Sequence, residues 1–427
     1  MCKNKTVKRS ANYTLPNIGQ DAIPLSHFPT RHQAFIFRAY EYVPVEKLAK
    51  ILNTDVYTVR NAAKEMGLPD YDPKDTWFKK GYITIIRRMW HILPYKQLLE
   101  LLDMDEETLA RIMREYDFLD IKLSDKPFCE KIEWRSLTEE EERRTKEIKE
   151  IMEGLNFAGK KPFEFEYNVP TLQFEGEEWL EAKKRGIEIG AKVQVNTTWE
   201  ASTVPAIPVS PSIEEHMRKL QCEGVNHLLL SWTLGGYLCN NIAAAAKYFY
   251  EKCSDTSKDF ALYVAEKQFV KAFKAFPFHI EVLYKGPQNA GPSNLLFENP
   301  TGYKATMTCF AYDDVDSWRN IYPIDIFESQ FEKLGNDWEI GLHMIPEENN
   351  SETAIMAKAT YCLFKSSLNQ IRFIRARNEK RFADAVIEAK NELDVAKEML
   401  ILMNKNAAIG YEAANHYYFS KGQIAEK

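Results

Sequence analysis

Three stretches carry the residue types that could do chemistry. VQVNTTWE supplies Asn196, Trp199 and Glu200, HLLLSWTLGGY supplies Ser231, Trp232 and Tyr237, and GPQNAGPSN supplies Asn289. Carboxamides, hydroxyls and a carboxylate hydrogen-bond the hydroxyl groups of a polar ligand, and tryptophan rings offer flat apolar faces. Proton-transfer chemistry would need more than this. Glu166 and Glu200 are the only carboxylates near strand ends between residues 155 and 240, so Glu200 is the single, weak catalytic candidate. A packing role competes at each position. Trp199 and Trp232 can plug the end of a sheet, and Asn289 can belong to an ordinary connector.

The elements that must position these residues read as strand and helix in alternation. PFEFEYNVP alternates Phe163, Phe165 and Tyr167 against Glu164 and Glu166, as a strand does. GEEWLEAKKRGIEIG reads as a helix, AKVQVNTTWE as a strand, SIEEHMRKLQCEG as a helix and VNHLLLSW as a strand. Such alternation predicts parallel βα units. In these units the residues just past each strand's C-terminal end line the site. That rule selects Asn196, Trp199 and Glu200 after one strand, and Ser231, Trp232 and Tyr237 after the next.

Upstream lies an internal repeat with an offset of 50 residues. EYVPVEKLAKILNTDVYTVRNAAKEMGLPD aligns without gaps on HILPYKQLLELLDMDEETLARIMREYDFLD. Pro44 matches Pro94, Leu48 matches Leu98, Leu52 matches Leu102, Asp55 matches Asp105, and Arg38 matches Arg88. Proline opens a short helix, aspartate caps the next, and each copy becomes a helix-turn-helix. Val59, Ala62, Ala63 and Met66 should point inward in the first copy, with Leu109, Ile112, Met113 and Tyr116 in the second. Arg60 and Lys64 are the residues of the first copy that could meet DNA. Acidic and basic residues nearly cancel across this region, which favours a packing module instead.

Residues 31–125 therefore form a duplicated helical domain, 126–159 a connecting helix, 160–240 a partial βα barrel segment, and 241–427 a helical domain. Thr138 and Glu141 make a capping box for the connector. In the helical region, Phe260, Val264, Phe269 and Phe273 read as an inward face. A long helical run from Ser351 to Met403 is interrupted near Asn378. YDDVDSW lacks the glycine and distal glutamate of a calcium loop, so capping explains its aspartates better. IRFIRARNEKR reads as a solvated helix face. The fold class is α+β, mostly helical, with helix-turn-helix-like repeats, a small parallel βα remnant and a helical C-terminal region.

Composition sets the outer limits. The net charge of −6 over 427 residues gives no global pull toward nucleic acid. Seven cysteines lie far apart without any CxxC pair, which argues against a zinc or dithiol site and fits a reducing compartment. No pair of histidines stands at metal-ligand spacing, and no metal or cofactor is expected. The basic start has no apolar run behind it, and no apolar stretch approaches the ~20 residues of a membrane span. A cytoplasmic protein is the expectation.

VQVNTTWEASTVPAIPV, GVNHLLLSWTLGGY, GPQNAGPSNLLFENPTGYKATM, DDVDSWRNIYP and IGYEAANHYY resemble bacterial glycoside-hydrolase-like proteins, loosely of the family-20 β-hexosaminidase type. The resemblance covers 31–154 and about 185–420. It implies a TIM barrel between helical regions and a carbohydrate ligand. The chain departs from that pattern between residues 155 and 240. About 85 residues allow three βα units at most, at roughly 30 residues each, against the eight of a barrel. The family's adjacent Asp–Glu pair is absent from that window. Glycosidic hydrolysis generally uses two carboxyl groups at a set separation. The resemblance thus implies a truncated barrel that binds carbohydrate with weak or no hydrolytic activity. The alternative is a DNA- or protein-binding regulatory module acting through the helix-turn-helix repeats. Exposed sheet edges in an incomplete barrel would call for cover, and a homodimer could provide it.

Overall fold

The computed structural model describes residues 13–71, 73, 78–79, 81–116, 118–155, 157, 184–197, 199–230, 239–249, 260–412 and 417–427. The chain divides into two compact units, 1–149 and 150–427. Helices dominate both, and the described strands form three two-stranded ladders, two of them parallel. This is the mostly helical α+β class that the sequence predicts.

In the first unit, strand β1 (Ile18–Asp21) precedes helices α1 (Arg31–Ala39), α2 (Val45–Leu52) and α3 (Val56–Glu65). The second copy supplies α4 (Tyr82–Met89), α5 (Tyr95–Leu102) and α6 (Glu106–Glu115). Short helix α7 (Leu119–Leu123), strand β2 (Lys126–Phe128) and helix α8 (Glu139–Glu153) follow. The repeat is visible in the backbone itself. Pro44 and Pro94 precede α2 and α5, and Asn53 and Asp103 both adopt the left-handed conformation that ends those helices. Asp55 accepts from Thr58 N at 2.9 Å and Asp105 from Thr108 N at 2.7 Å.

The two copies pack like against like, α1 on α4 and α2 on α5. A local two-fold relation follows, as in an isologous dimer. Arg88 Nε donates to Arg38 O at 2.7 Å, and Arg38 donates back to Arg88 O at 3.5 Å. Lys50 pairs with Glu100, its own counterpart, at 3.3 Å. Leu48, Leu52, Leu98, Leu101 and Leu102 are buried. Tyr116 differs from expectation. It is exposed and meets Tyr82 edge-on, because the chain leaves the helix there and Phe118 takes a positive φ of 57°. In α6 the inward face is instead Leu109, Ala110 and Met113.

Thr138 and Glu141 form the expected reciprocal cap of α8. The second unit then holds β3 (Gly190–Val193), α9 (Ser210–Cys222) and β4 (His227–Leu230). β3 and β4 pair in parallel, Gly190 opposite His227 and Val193 opposite Leu230. Strand–helix–strand is thus present as predicted. Ala191, Val193 and Val195 face Ile213, Met217 and Leu220 of α9. The expected PFEFEYNVP strand and most of the following helix lie outside the described residues.

Helices α10 (Asn240–Phe249), α11 (Phe260–Phe273), α12 (Ile280–Lys285), α13 (Val315–Arg319) and α14 (Ile324–Leu342) follow, with two 3₁₀ turns at Pro287–Asn289 and Gly291–Ser293. On α11 the buried stripe is Leu262, Ala265, Phe269 and Ala272. Phe260 and Val264 are exposed, contrary to the sequence reading, because the face is set by packing on α14, where Phe269 stacks on Trp338 at 4.4 Å.

The long helical run is broken where the sequence places the interruption, into α15 (Glu352–Asn378) and α16 (Phe382–Lys405). Strands β5 (Tyr411–Glu412) and β6 (Tyr417–Tyr418) and helix α17 (Lys421–Glu426) close the described chain. α15 is buried over most of its surface, and Lys358, Tyr361, Lys365, Arg372 and Arg375 form its one half-buried stripe. Its basic segment is less solvated than its composition suggests. Arg372 and Arg375 bridge to Glu328 and Glu332 of α14. Arg377 forms a buried pair with Asp313 at 2.8 Å, each side chain 5% exposed. Of the aspartate cluster, Asp314 caps α13 through Ser317 N and also accepts from Ala305 N, while Asp313 pairs with Arg377 and Asp316 with Arg319.

Two predictions follow from buried charge. In the first unit, burial beside Arg38 and Lys126 pushes the His91 imidazole down to about 3. The unfolded chain, with its ordinary value near 6.5, takes up the proton first as the pH falls. Stability is therefore full above about pH 6.5 and declines below it, by up to about 1.4 kcal/mol per pH unit for this group. Urea titrations at pH 7.5 and 5.0 should show a smaller difference in His91→Gln than in wild type. In the second unit, Asp313→Ala strands the Arg377 guanidinium and should destabilise by about 3–5 kcal/mol. Paired replacement of Asp313 and Arg377 by Asn and Met should recover part of the loss in the same denaturation assay.

Candidate functional site

The loop after β3 is closed on itself before it reaches any site. Ile207 N donates to Thr197 Oγ1 at 2.7 Å, and Thr197 N donates to Pro205 O at 3.2 Å. Asn241, near the start of α10, donates to Val195 O at 2.9 Å and Ile207 O at 2.8 Å, clasping both ends. Between them, Ala201, Ser202, Thr203 and Val204 are buried. A loop packed this tightly by its own polar groups presents its remaining side chains in fixed positions.

Beyond the C-terminal end of β3 this loop borders a cleft of about 310 Å³, within the range of small-ligand pockets. Asn196, Thr197 and Glu200 contribute from the loop, His216 from α9 and Asn241 from α10. Phe273, Lys274 and Phe278 complete the wall from α11 and the segment after it. Phe273 and Phe278 stand edge to face at 5.4 Å, and the Phe278 ring is half exposed. Glu200 is the one carboxylate on this wall among the described residues. The arrangement offers an aromatic surface, three carboxamides (Gln194, Asn196 and Asn241), a cation and a single carboxylate. It can hold a neutral polyhydroxylated molecule in place, but it lacks the second carboxyl group that an acid–base pair requires.

The predicted site residues divide. Asn196 and Glu200 reach the cleft, as the strand-end rule expects. Trp199 lies on the same loop but packs its ring edge-on against Tyr284 at 4.8 Å. Asn289 is buried elsewhere. It donates to Leu283 O at 2.7 Å and Gly286 O at 3.3 Å and accepts from Ser202, tying the 3₁₀ turn to the strand-end loop. Ser231, Trp232 and Tyr237 lie outside the described residues. In the first unit, Lys64 is exposed, while Arg60 is held by Asp70 at 3.0 Å and Asn61 by Glu65 at 2.8 Å. An acidic neighbour therefore holds Arg60 but not Lys64.

His216, Asn241, Lys274 and Phe278 were not selected from sequence. Asn241 had a signal, since it closely follows the predicted third strand. Phe278 sits in AFPFHI, where proline and paired aromatics mark a helix end with rings to spare. Among the described residues, no cluster of three or more His, Cys, Asp or Glu is placed to hold a metal ion, and no helix is long and apolar enough to cross a membrane. Comparison with family models, with curated proteins and with solved structures found no match to this chain.

Asn289→Ala removes a buried carboxamide that joins three backbone and side-chain groups. It should lower stability by about 1–3 kcal/mol. Hydrogen exchange should locate the loosening at residues 199–207, and an unchanged exchange pattern there would contradict the clamp.

Proposed function

We propose that this chain is a glycoside-hydrolase-like carbohydrate-binding protein whose strand-end cleft holds a sugar without efficient hydrolysis. The observation that carries the reading is the half-exposed Phe278 ring beside Asn196, Glu200 and His216 in one cleft past a parallel strand. An aromatic face takes the apolar side of a pyranose ring, and the surrounding polar groups take its hydroxyls. The resemblance of the strand-end and GPQNAGPS segments to hexosaminidase-like proteins points to N-acetylhexosamines as first candidates. The lone Glu200 suits a hydrogen-bonding role, because one carboxylate cannot serve as both acid and base or nucleophile at once. The reading places the protein in the cytoplasm, consistent with the free, scattered cysteines among the described residues.

Calorimetric titration with N-acetylglucosamine, N-acetylgalactosamine, glucose and galactose tests the proposal. Saturable binding is expected for at least one sugar. Phe278→Ala should weaken it about tenfold, and Trp199→Phe should leave it nearly unchanged. A chromogenic N-acetylglucosaminide should be turned over no faster than in buffer. Flat titrations across the panel would sink the reading, and rapid turnover would convert it to an enzyme.

A further inference from the structure

The cleft carries two side chains of opposite charge, and they differ in what they already do. Glu200, on the strand-end loop, is engaged with neighbours of its own. Lys274, just past the end of α11, is exposed, and its ammonium meets no hydrogen-bond or ion-pair partner among the described residues. Its charge reaches Glu215 of α9. That carboxyl is held below its ordinary range chiefly by the hydrogen bond and charge of Lys219, with Arg218 and Lys274 adding to the effect. Lys219 sits 2.8 Å from Glu215, and the adjacent Glu214 accepts from Tyr263 Oη at 3.1 Å, so both acids are taken. Lys274 shares its wall with Phe273 and Phe278, and His216 adds an exposed imidazole from α9. A lysine lays its methylenes along apolar surface and leaves its ammonium open. The cleft thus has one uncommitted charge, and it is positive.

We infer that the sugar held in this cleft carries an acidic group, a carboxylate or a phosphate ester, and that Lys274 receives it. The inference rests on the proposed sugar-binding reading and adds to it the charge of the ligand. Lysine takes either group as a point charge, because it lacks the planar fork with which arginine reads them through two parallel bonds. An ammonium already paired would exchange one anion for another with little gain. An uncommitted one gives the ligand a charge-assisted hydrogen bond without breaking another. Glu200 sets the direction of the ligand. Like charges repel, so the acidic end lies toward α11 and the neutral end toward the strand-end loop.

The test titrates the full chain with two matched pairs, N-acetylglucosamine with its 6-phosphate and glucose with glucuronic acid. At least one acidic sugar should bind about tenfold more tightly than its neutral parent. Which pair shows the gain identifies the acid as phosphate or carboxylate. Lys274→Gln should bring that pair within about twofold of each other, while Lys271→Gln, on α11 but outside the cleft wall, should keep the preference. Both lysines are exposed, so both variants should fold as wild type does. Flat titrations with both neutral sugars would remove the underlying reading and this inference with it. Neutral sugars that bind as tightly as their acidic forms would overturn the inference alone. So would a preference that survives in Lys274→Gln, or one that Lys271→Gln abolishes equally.

Discussion

The second unit depends on a helix that buries several polar side chains along with its apolar ones, and these cannot be left unmatched there. In α15, Thr360 and Ser367 donate to carbonyls of their own helix. Asn369 and Ser366 reach Glu392 of α16, which Lys427 also meets. Gln370 donates to Gly291 O at 2.9 Å and accepts from Asn294 at 2.8 Å. Those last bonds hold the 3₁₀ turns. Gly291 completes the contact, since its positive φ and its position against Leu363 leave no room for a side chain. The turns hold the strand-end loop through Asn289 and Gln288, whose amide donates to Trp199 O at 3.2 Å. Asn241 then holds the loop's other side. Satisfying polar groups in the core thereby fixes the wall of the cleft.

On the proposed reading, this coupling suits the cleft to holding a ligand in place. Its loop is fastened from below by turns and from the side by α10, so Glu200 and Asn196 are placed by groups that do not touch a ligand. Pre-organisation of that kind lowers the entropic cost of binding. Acid–base work would need a second carboxyl group on the opposing wall, where the structure has Phe273, Lys274 and Phe278. Glu266, on the same helix as Phe273, is committed to Ser210 and Asn240 and joins α9, α10 and α11 as a buried brace.

Sequence reasoning reached the parts governed by local rules. Pro44 and Pro94, or Asp55 and Asp105, act within a turn of their own positions, so the duplicated helices were legible to the residue. The β3–α9–β4 alternation was legible for the same reason, and with it the placement of Asn196 and Glu200. Faces and partners were not. Phe260 and Tyr116 fit an inward period, but which face is inward depends on α14 in one case and on a helix end in the other. Asn289 shows a deeper ambiguity. A polar residue flanked by glycine and proline is what a ligand loop needs and equally what a buried clamp needs. Trp199 is similar, since a ring beside a strand end serves packing or recognition alike. The aromatic wall of the cleft comes from residues 273–278, too far along the chain for any spacing to connect them with β3.

The like-on-like packing of the repeat has a consequence for assembly. In a true homodimer, a residue near the two-fold axis faces its own copy, and equal charges must meet. Joining the copies in one chain lifts that restriction, and the pair at the axis has become Lys50 against Glu100. Two first halves from different chains would set lysine against lysine, and two second halves glutamate against glutamate. The bias at this exposed pair is modest, but its sign favours a first copy meeting a second copy over like copies meeting each other. Duplication in one chain has turned a symmetric contact into a complementary one.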